Sequence, residues 1–222
     1  MLYNHCFIGV TNDFYLEKKI STVFKGIQKK GALNKEEARE LAILVNYAGT
    51  GPNNKGLDYV AWTRAAQNGE GPFDHGAREI GAEGGTYAYG NMRVIEAGGK
   101  VAAMALCFEA FKRTAEEMEL IPEEFRIFKD LTNTIPGEFY LDSLAAAPEF
   151  RGQGFGRLML EDSIELAKSR GYNAVYLIAF AKNVAGVTLY EKNDFYPVLA
   201  KPGTGHPDMP YDGDVVLYKK DI

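Results

Sequence analysis

The residues with the clearest chemical potential are three glycines at every second position, Gly152, Gly154 and Gly156, flanked by Arg151 and Arg157. They follow an apolar run and precede a helical pattern, so the sequence predicts a strand that passes through this turn into a helix. Amide groups in the first turn of a helix have no intrahelical acceptor and carry partial positive charge, so they bind phosphate well. The two arginines would strengthen the binding of an anion. The pattern therefore predicts a pyrophosphate site.

The spacing of the glycines excludes the two commonest pyrophosphate motifs. A Walker loop requires G-x-x-x-x-G-K-[ST], and Arg157-Leu158 stands where Lys-Ser/Thr should be. A dinucleotide fingerprint requires G-x-G-x-x-G, and Gly156 arrives one residue early. A glycine-rich connector without a ligand remains as the alternative interpretation.

The stretch P-E-F-R-G-Q-G-F-G, residues 148–156, resembles the acyl-CoA loop of the GNAT superfamily of N-acetyltransferases. That loop has the pattern of an apolar strand, then P-E-[YF]-R-G-x-G-x-G, then a helix. The resemblance covers roughly residues 33–222 and is strongest over 137–196. It implies acetyl-CoA as the co-substrate, with the pyrophosphate of coenzyme A held by Arg151, Gly152, Gln153, Gly154, Phe155 and Gly156.

The strand before the loop has an expected role as well. The family splays this strand from the next one, so the resemblance implies that the main chain at Leu144, Ala145 and Ala146 pairs with the pantetheine arm. Ala146 stands where the family usually has Val. Because the contact is through the main chain, we expect little effect from that difference.

The segment T-L-Y-E-K-N-D-F matches the family pattern L-Y-E-K-x-G-F, in which the tyrosine hydroxyl faces the sulfur of coenzyme A. The resemblance implies that Tyr190 is the general acid; a core tyrosine on an amphipathic helix is the alternative. It also implies that Asn183 contacts the pantetheine or caps the helix. Gly186 replaces a usual Ala, which lowers helix propensity by about 1 kcal/mol. Asp194 replaces a usual Gly and must adopt a left-handed conformation.

An acceptor amine with a pKa near 10.4 is mostly protonated at neutral pH, so transfer needs a base. Glu138 and Asp142 are four residues apart on one predicted strand, and alternation puts both on one face unless a bulge intervenes. Asp142 lies nearer the predicted acyl end. Either carboxylate could act directly or through water, or could belong to an ordinary strand face.

Two aromatic residues are candidates for substrate recognition, because the resemblance places the first two helices beside the acceptor pocket. They are Tyr47 and Trp62, and aromatic packing within a helix pair is the alternative for Trp62. The sequence leaves the acceptor open as an amine-bearing small molecule or peptide.

The surrounding patterns predict an α/β (α+β) fold with a central mixed, mostly antiparallel, twisted sheet flanked by helices. We expect an N-terminal extension over residues 1–32, with a first strand around 23–29, and one GNAT domain over 33–222. Predicted helices begin at the Asn34-x-x-Glu37 capping box and cover 57–67, 156–170 and 183–192, with a partly helical segment over 109–130. Predicted strands cover 87–96, 100–108, 137–147, 174–180, 196–200 and 214–218, and the glycine-rich loop 48–56 is expected to be exposed.

Composition and charge exclude several classes of function. The net charge of −5 argues against nucleic-acid binding, and no apolar window approaches the length of a membrane span. The two cysteines are too few for a disulfide framework, and the three histidines lack metal-ligand spacing. We therefore expect a cytoplasmic protein with no metal, no nucleic acid and no membrane partner.

The leading hypothesis is an acetyl-CoA-dependent N-acetyltransferase that transfers an acetyl group to a primary amine in a ternary complex. A non-catalytic acyl-CoA-binding sensor module is the main alternative, and nucleotide binding through the glycine loop is a weaker one. The oligomeric state is left open, with a homodimer among the options.

Overall fold

The computed structural model describes residues 24–27, 33–52 and 56–222. Within this described part, seven strands form one sheet in the order β1-β2-β3-β4-β5-β7-β6. The strands are β1 (Phe24–Ile27), β2 (Met92–Ala97), β3 (Lys100–Glu109), β4 (Phe139–Ala146), β5 (Ala174–Phe180), β6 (Tyr196–Lys201) and β7 (Val215–Asp221). The helices are α1 (Lys35–Ala48), α2 (Leu57–Ala65), α3 (Pro72–Gly81), α4 (Ala115–Glu119), α5 (Glu123–Thr132), α6 (Phe155–Ser169) and α7 (Val184–Glu191).

The sheet is mixed and mostly antiparallel, as predicted. Only the β4–β5 pair is parallel among the neighbouring strands described, because α6 crosses back over the sheet between them. The β2–β3 hairpin turns through Gly98 and Gly99, both with positive φ. The first strand is confirmed at Phe24–Ile27, while the assignment of residues 1–32 as a separate extension falls mostly outside the described residues and stays a prediction.

The parallel pair separates part-way along its length, and this gap positions the candidate site. β4 and β5 are in register at Phe139↔Val175, Tyr140↔Tyr176 and Leu141↔Leu177. Beyond these positions β4 stays paired with β3 as far as Ala146, and β5 stays paired with β7 as far as Phe180. The strand ends therefore diverge and leave one edge of each open to a ligand.

Apolar side chains on α6 bury one face of the sheet, as the helical pattern predicts. Met159 and Leu160 are fully buried against Phe139, Leu141 and Leu177. α1 and α3 cover the other face over β2 and β3, with a core of Leu41, Val45, Ile80, Met104 and Leu106. These two layers fix β4 from both sides, so the start of α6 has a defined place at its end.

One helix was missed by the sequence analysis. Residues 72–81 form α3 although they include Gly76 and Gly81, which disfavour helices. Packing compensates for the low propensity, because a Cβ atom at Gly76 would lie 2.8 Å from the indole ring of Trp62. The predicted strand over 87–96 was also too long, since Tyr89–Asn91 is a 3-10 turn and β2 begins at Met92.

The loop between α1 and α2 is less exposed than predicted. Gly51 and Gly56 are buried, and a Cβ atom would overlap Pro210 at the first and Asn46 at the second. The Asn46 side chain also accepts a hydrogen bond from the Tyr59 amide (3.0 Å). Residues 53–55 lie outside the described part of the chain, so the expectation for them is left as it stands.

Candidate active site

A cavity of about 310 Å³ opens into the gap between β4 and β5. Its lining comes from α2, α5 and α7 and from the central strands. It includes residues that the sequence analysis assigned to cofactor binding and others that it assigned to proton transfer. Leu144, Asn183 and Tyr190 line it together with Asp142. The cavity therefore joins the predicted thioester side to the predicted proton acceptor.

The glycine turn lies at the end of β4 and starts α6. Gly152 and Gly154 have φ values of 71° and 88°, which residues with a Cβ atom rarely adopt. Gly154 is the N-cap of α6, and no side chain in the described residues caps its amides. The first-turn amides, including Phe155 and Gly156, consequently point out of the helix end without an intrahelical acceptor. A Cβ atom at Gly152 would meet no atom within 4 Å, so an anion has room to approach.

The polar side chains of the turn form local contacts. The Gln153 side chain donates to the carbonyl oxygen of Glu149 (2.8 Å), and Arg157 Nε donates to Glu161 Oε1 (2.8 Å). Arg151 Nε donates to the carbonyl oxygen of Ala146 (3.3 Å), with its guanidinium carbon 5.5 Å from the ring centre of Tyr47. Tyr47 thus lies beside the glycine turn and is not among the residues that line the cavity.

The main chain of β4 presents alternate groups to the gap. The Ala147 amide donates to the Ala102 carbonyl oxygen (2.9 Å), so this residue faces β3. Because backbone groups alternate along an antiparallel pair, Ala145 also faces β3, whereas Leu144 and Ala146 face the gap. This is the main-chain edge that the resemblance assigns to the pantetheine arm.

The start of α7 shows why glycine fits at position 186. Asn183 is the N-cap, and its Oδ1 accepts a hydrogen bond from the Gly186 amide (3.2 Å). A Cβ atom at Gly186 would lie 2.8 Å from Asn183 Nδ2. The missing methyl group therefore leaves room for the capping side chain. After this helix Asp194 has a φ of 63°, the left-handed conformation that was expected there.

Tyr190 lies on α7 and faces the cavity. Its ring packs against Phe195 and Tyr218, with ring centres 6.0 Å and 6.4 Å away. Burial raises the pKa of the Tyr190 phenol to about 12. The hydroxyl keeps its proton at neutral pH, as an ordinary phenol does, and is available as a donor.

Two carboxylates face the same cavity. The β3 register steps from Cys107↔Leu141 to Leu106↔Ser143, so Asp142 is the extra residue of a β-bulge. Ser143 Oγ donates to Asp142 Oδ2 (2.9 Å), and burial raises the pKa of Asp142. The second carboxylate, Asp58 on α2, accepts a hydrogen bond from Tyr87 Oη (3.0 Å).

The two carboxylates influence each other. Burial, followed by the negative charge of Asp142, raises the pKa of Asp58 to about 7, although the hydrogen bond from Tyr87 opposes the shift. A carboxyl group with a pKa near neutrality is suited to proton transfer. Asp58 therefore joins Asp142 as a candidate base.

Besides Tyr47, two other sequence candidates, Glu138 and Trp62, lie away from the cavity lining. Glu138 precedes β4, and its carbonyl oxygen accepts a hydrogen bond from the Ala110 amide (2.8 Å). Trp62 is 3% exposed and donates from Nε1 to Glu79 Oε2 (3.0 Å). Its ring also packs against Phe73 and Tyr87, so packing within the helices accounts for its position.

The cavity residues that were not singled out from the sequence include Asp58, Tyr87, Arg113 and Lys129. Each comes from a different part of the chain, so no local spacing connects them. The segment 109–130 was correctly expected to be partly helical. Its aromatic residues Phe111, Phe125 and Phe128 line the cavity. Their presence in this segment was the feature of the sequence that could have predicted an apolar wall.

A small polar cluster lies outside the cavity. One ligand atom from each of Glu124, His206 and Asp208 lies within 4.8 Å of the other two, a grouping that sequence spacing did not reveal. Arg64 forms an ion pair with Glu124 and a second one with Asp208 (2.7 Å). The guanidinium balances these carboxylates, so the cluster by itself gives no argument for a metal ion.

Comparison with known proteins defines the class of this fold and site. The family model for the acetyltransferase (GNAT) family matches residues 60–195, more than half of the chain. The chain therefore belongs to that family. Within the described residues, no helix has the length and apolar character needed to cross a membrane.

Two solved structures share the fold. A crystal structure of an acetyltransferase superposes with a TM-score of 0.57 at 21% identity, covering 89% of this chain and 100% of the other. A protein from Pyrococcus horikoshii OT3 superposes with a TM-score of 0.54 at 18% identity, covering 89% and 98%.

Two sequence relatives carry a specific name, [ribosomal protein bS18]-alanine N-acetyltransferase. The Salmonella typhimurium protein is 30% identical over 87 residues, which cover 35% of this chain and 56% of the relative. The Escherichia coli K12 protein is 34% identical over 65 residues, covering 29% and 44%. The chain thus matches about half the length of these relatives.

Proposed function

We propose that this protein transfers an acetyl group from acetyl-CoA to a primary amine by direct attack in a ternary complex. The observation that carries the proposal is the single cavity in which the open edge of β4, the Tyr190 hydroxyl and two carboxylates meet. Family membership supports the reaction class. The carboxylates supply what an amine acceptor needs, a group that takes its proton.

The residues of the chain fit acetyl-CoA at three points. The amides of residues 152–156 would hold the pyrophosphate, since they lie at an uncapped helix N-terminus. The main chain at Leu144 and Ala146 would pair with the amide groups of the pantetheine arm. Asn183 would contact the arm from the opposite side of the gap. When bound, acetyl-CoA supplies an acetyl group activated as a thioester.

The cavity residues would move two protons. Asp142 or Asp58 would accept one proton from the ammonium group, which frees the nitrogen lone pair to attack the acetyl carbon. Tyr190 would donate its proton to the sulfur as the carbon–sulfur bond breaks. The second proton that the nitrogen loses after attack would replace the one that Tyr190 gives up. The phenol holds its proton at neutral pH, and Asp58, whose pKa is about 7, takes up and releases a proton there. The ionised fraction of Asp58 can therefore act as the base.

A kinetic experiment tests this assignment. Tyr190→Phe removes the donor and keeps the ring, so we expect kcat to fall about 100-fold, within the range of general acid catalysis. The Kd for acetyl-CoA should stay within about threefold, because the hydroxyl acts mainly in the transition state. Tyr196→Phe is the matched control, since Tyr196 is an exposed tyrosine that donates to Asp221 on the edge of the sheet.

The outcomes separate the candidate functions. Equal loss of binding and turnover in Tyr190→Phe would contradict the role of the hydroxyl. Tight binding of acetyl-CoA without acetylation of any amine, amino acid or peptide would instead favour a non-catalytic acyl-CoA-binding module. The names of the sequence relatives keep a protein N-terminus among the acceptors to be tried.

A further inference from the structure

The cavity contains two cations that the proposed reaction does not use. Arg113 precedes α4 and Lys129 lies on α5, so both come from the segment 110–138 that joins β3 to β4. The neighbouring connection between β2 and β3 needs only Gly98 and Gly99. The long segment thus adds a wall to the cavity, and that wall brings in positive charge.

Among the described residues, no carboxylate lies within ion-pair distance of either cation. The Lys129 ammonium makes no hydrogen bond or ion pair with any residue in the described part of the chain, and burial lowers its pKa. The Arg113 guanidinium stacks over the ring of Phe111 at 4.2 Å, and its polar side-chain contact is a long hydrogen bond to Thr132 Oγ1 (3.5 Å). Burial lowers the pKa of Arg113 as well.

The cations act on the two carboxylates across the cavity without touching them: burial raises the pKa of Asp58 and Asp142, and the positive charge of Lys129 opposes both shifts. Among the described residues, neither Arg113 nor Lys129 lies within ion-pair distance of Asp58 or Asp142, although all four line one cavity. The carboxylates come from α2 and β4, and the cations come from the segment between β3 and β4. A buried charge is costly without a counter-ion. The arrangement therefore suits a ligand that supplies one charge of each sign.

We propose that the acceptor is a free amino acid with an apolar side chain, whose amine faces the two carboxylates and whose carboxylate is bound by Lys129 and Arg113. This inference rests on the proposed acetyl transfer and names the substrate class for it. Arginine and lysine are the usual partners of a carboxylate, and such charged hydrogen bonds are strong. Phe111, Phe125 and Phe128 on the same wall would pack against the side chain of the acceptor.

A matched acceptor panel tests the proposal. L-phenylalanine and L-leucine are compared with phenethylamine and isoamylamine, which lack the carboxylate, with phenylalaninamide, and with a peptide that begins with Phe. The rate of thiol release from acetyl-CoA gives kcat/KM for each. We expect the amino acids to exceed their decarboxylated amines by at least about 10-fold, the effect of one hydrogen bond to a charged group.

Two variants assign the preference to the cavity wall. Lys129→Met should lower the ratio of kcat/KM for each amino acid to that for its decarboxylated amine by about 10-fold, because only the amino acid has a carboxylate for Lys129 to bind. Lys129→Arg should retain most of the preference because it keeps the cation. Lys112→Met is the control, since Lys112 is an exposed lysine on the same segment that does not line the cavity.

The outcomes distinguish the two proposals. If no acceptor of the panel is acetylated, the proposed function itself fails. If amines or the peptide are acetylated as well as the amino acids, or if Lys129→Met lowers all acceptors equally, acetyl transfer stands and the amino-acid acceptor is overturned.

Discussion

The raised pKa of Asp58 predicts that this residue makes the protein less stable as pH rises. An unfolded aspartate ionises near pH 3.8, whereas Asp58 in the native cavity ionises at about 7. Between these values the native state binds the proton that the unfolded state has lost, so each pH unit lowers the free energy of unfolding by about 1.4 kcal/mol. Above pH 7 both states are ionised and the loss stops, at no more than about 4 kcal/mol.

Asp58→Asn removes the titrating group and keeps an oxygen that accepts the hydrogen bond from Tyr87. Between pH 5 and pH 7 the unfolded aspartate is ionised and native Asp58 is still protonated, so the stability of the wild type falls over about two pH units. The stability of the variant relative to wild type should therefore rise by about 2.5 kcal/mol between pH 5 and pH 8.

Urea unfolding at the two pH values measures this difference, provided that the m-value is unchanged. Asp212→Asn is the control, because the side chain of Asp212 is 93% exposed. A stability difference between Asp58→Asn and wild type that is the same at pH 5 and pH 8 would refute the account of a desolvated carboxyl group coupled to Asp142.

Three further predictions concern neighbouring parts of the site. Gly152→Ala and Gly69→Ala both place a Cβ atom at positive φ with no atom within 4 Å, so each should lose about 1 kcal/mol of stability by urea unfolding. Only Gly152→Ala should weaken coenzyme A binding by calorimetry, and equal affinities would contradict the pyrophosphate site. Tyr87→Phe removes a hydrogen bond that lowers the pKa of Asp58, so the pH-dependent loss of stability should continue above pH 7; an unchanged profile would count against that contact. Gly186→Ala should lack the gain of about 1 kcal/mol expected in a helix, because the methyl group displaces Asn183, and a full gain would show that no displacement occurs.

The glycine turn and its neighbours could be predicted from the sequence because their information is local. The motif places β4, the turn and α6 in consecutive order, and the helical pattern of Met159, Leu160 and Ile164 gives the buried face of α6. The capping box at Asn34 and Glu37 is likewise a short-range pattern, and both of its hydrogen bonds are present. Each of these features needs only residues a few positions apart.

The acceptor side of the cavity could not be predicted in the same way. Asp58 and Lys129 are ordinary charged residues on separate helices, and only the folded chain brings them to one cavity. The bulge at Asp142 depends on the register with β3, which alternation along a single strand does not reveal. Trp62 shows the opposite case, since a conspicuous aromatic residue near the expected pocket is buried against Gly76.

The crystal structure of a complex with coenzyme A tests the central claim most directly. The account predicts that the pyrophosphate binds at the amides of residues 152–156, that the pantetheine arm lies along Leu144 and Ala146, and that the sulfur lies within hydrogen-bond distance of the Tyr190 hydroxyl. A pyrophosphate bound elsewhere, or a sulfur remote from both Tyr190 and the Asp58–Asp142 pair, would contradict it.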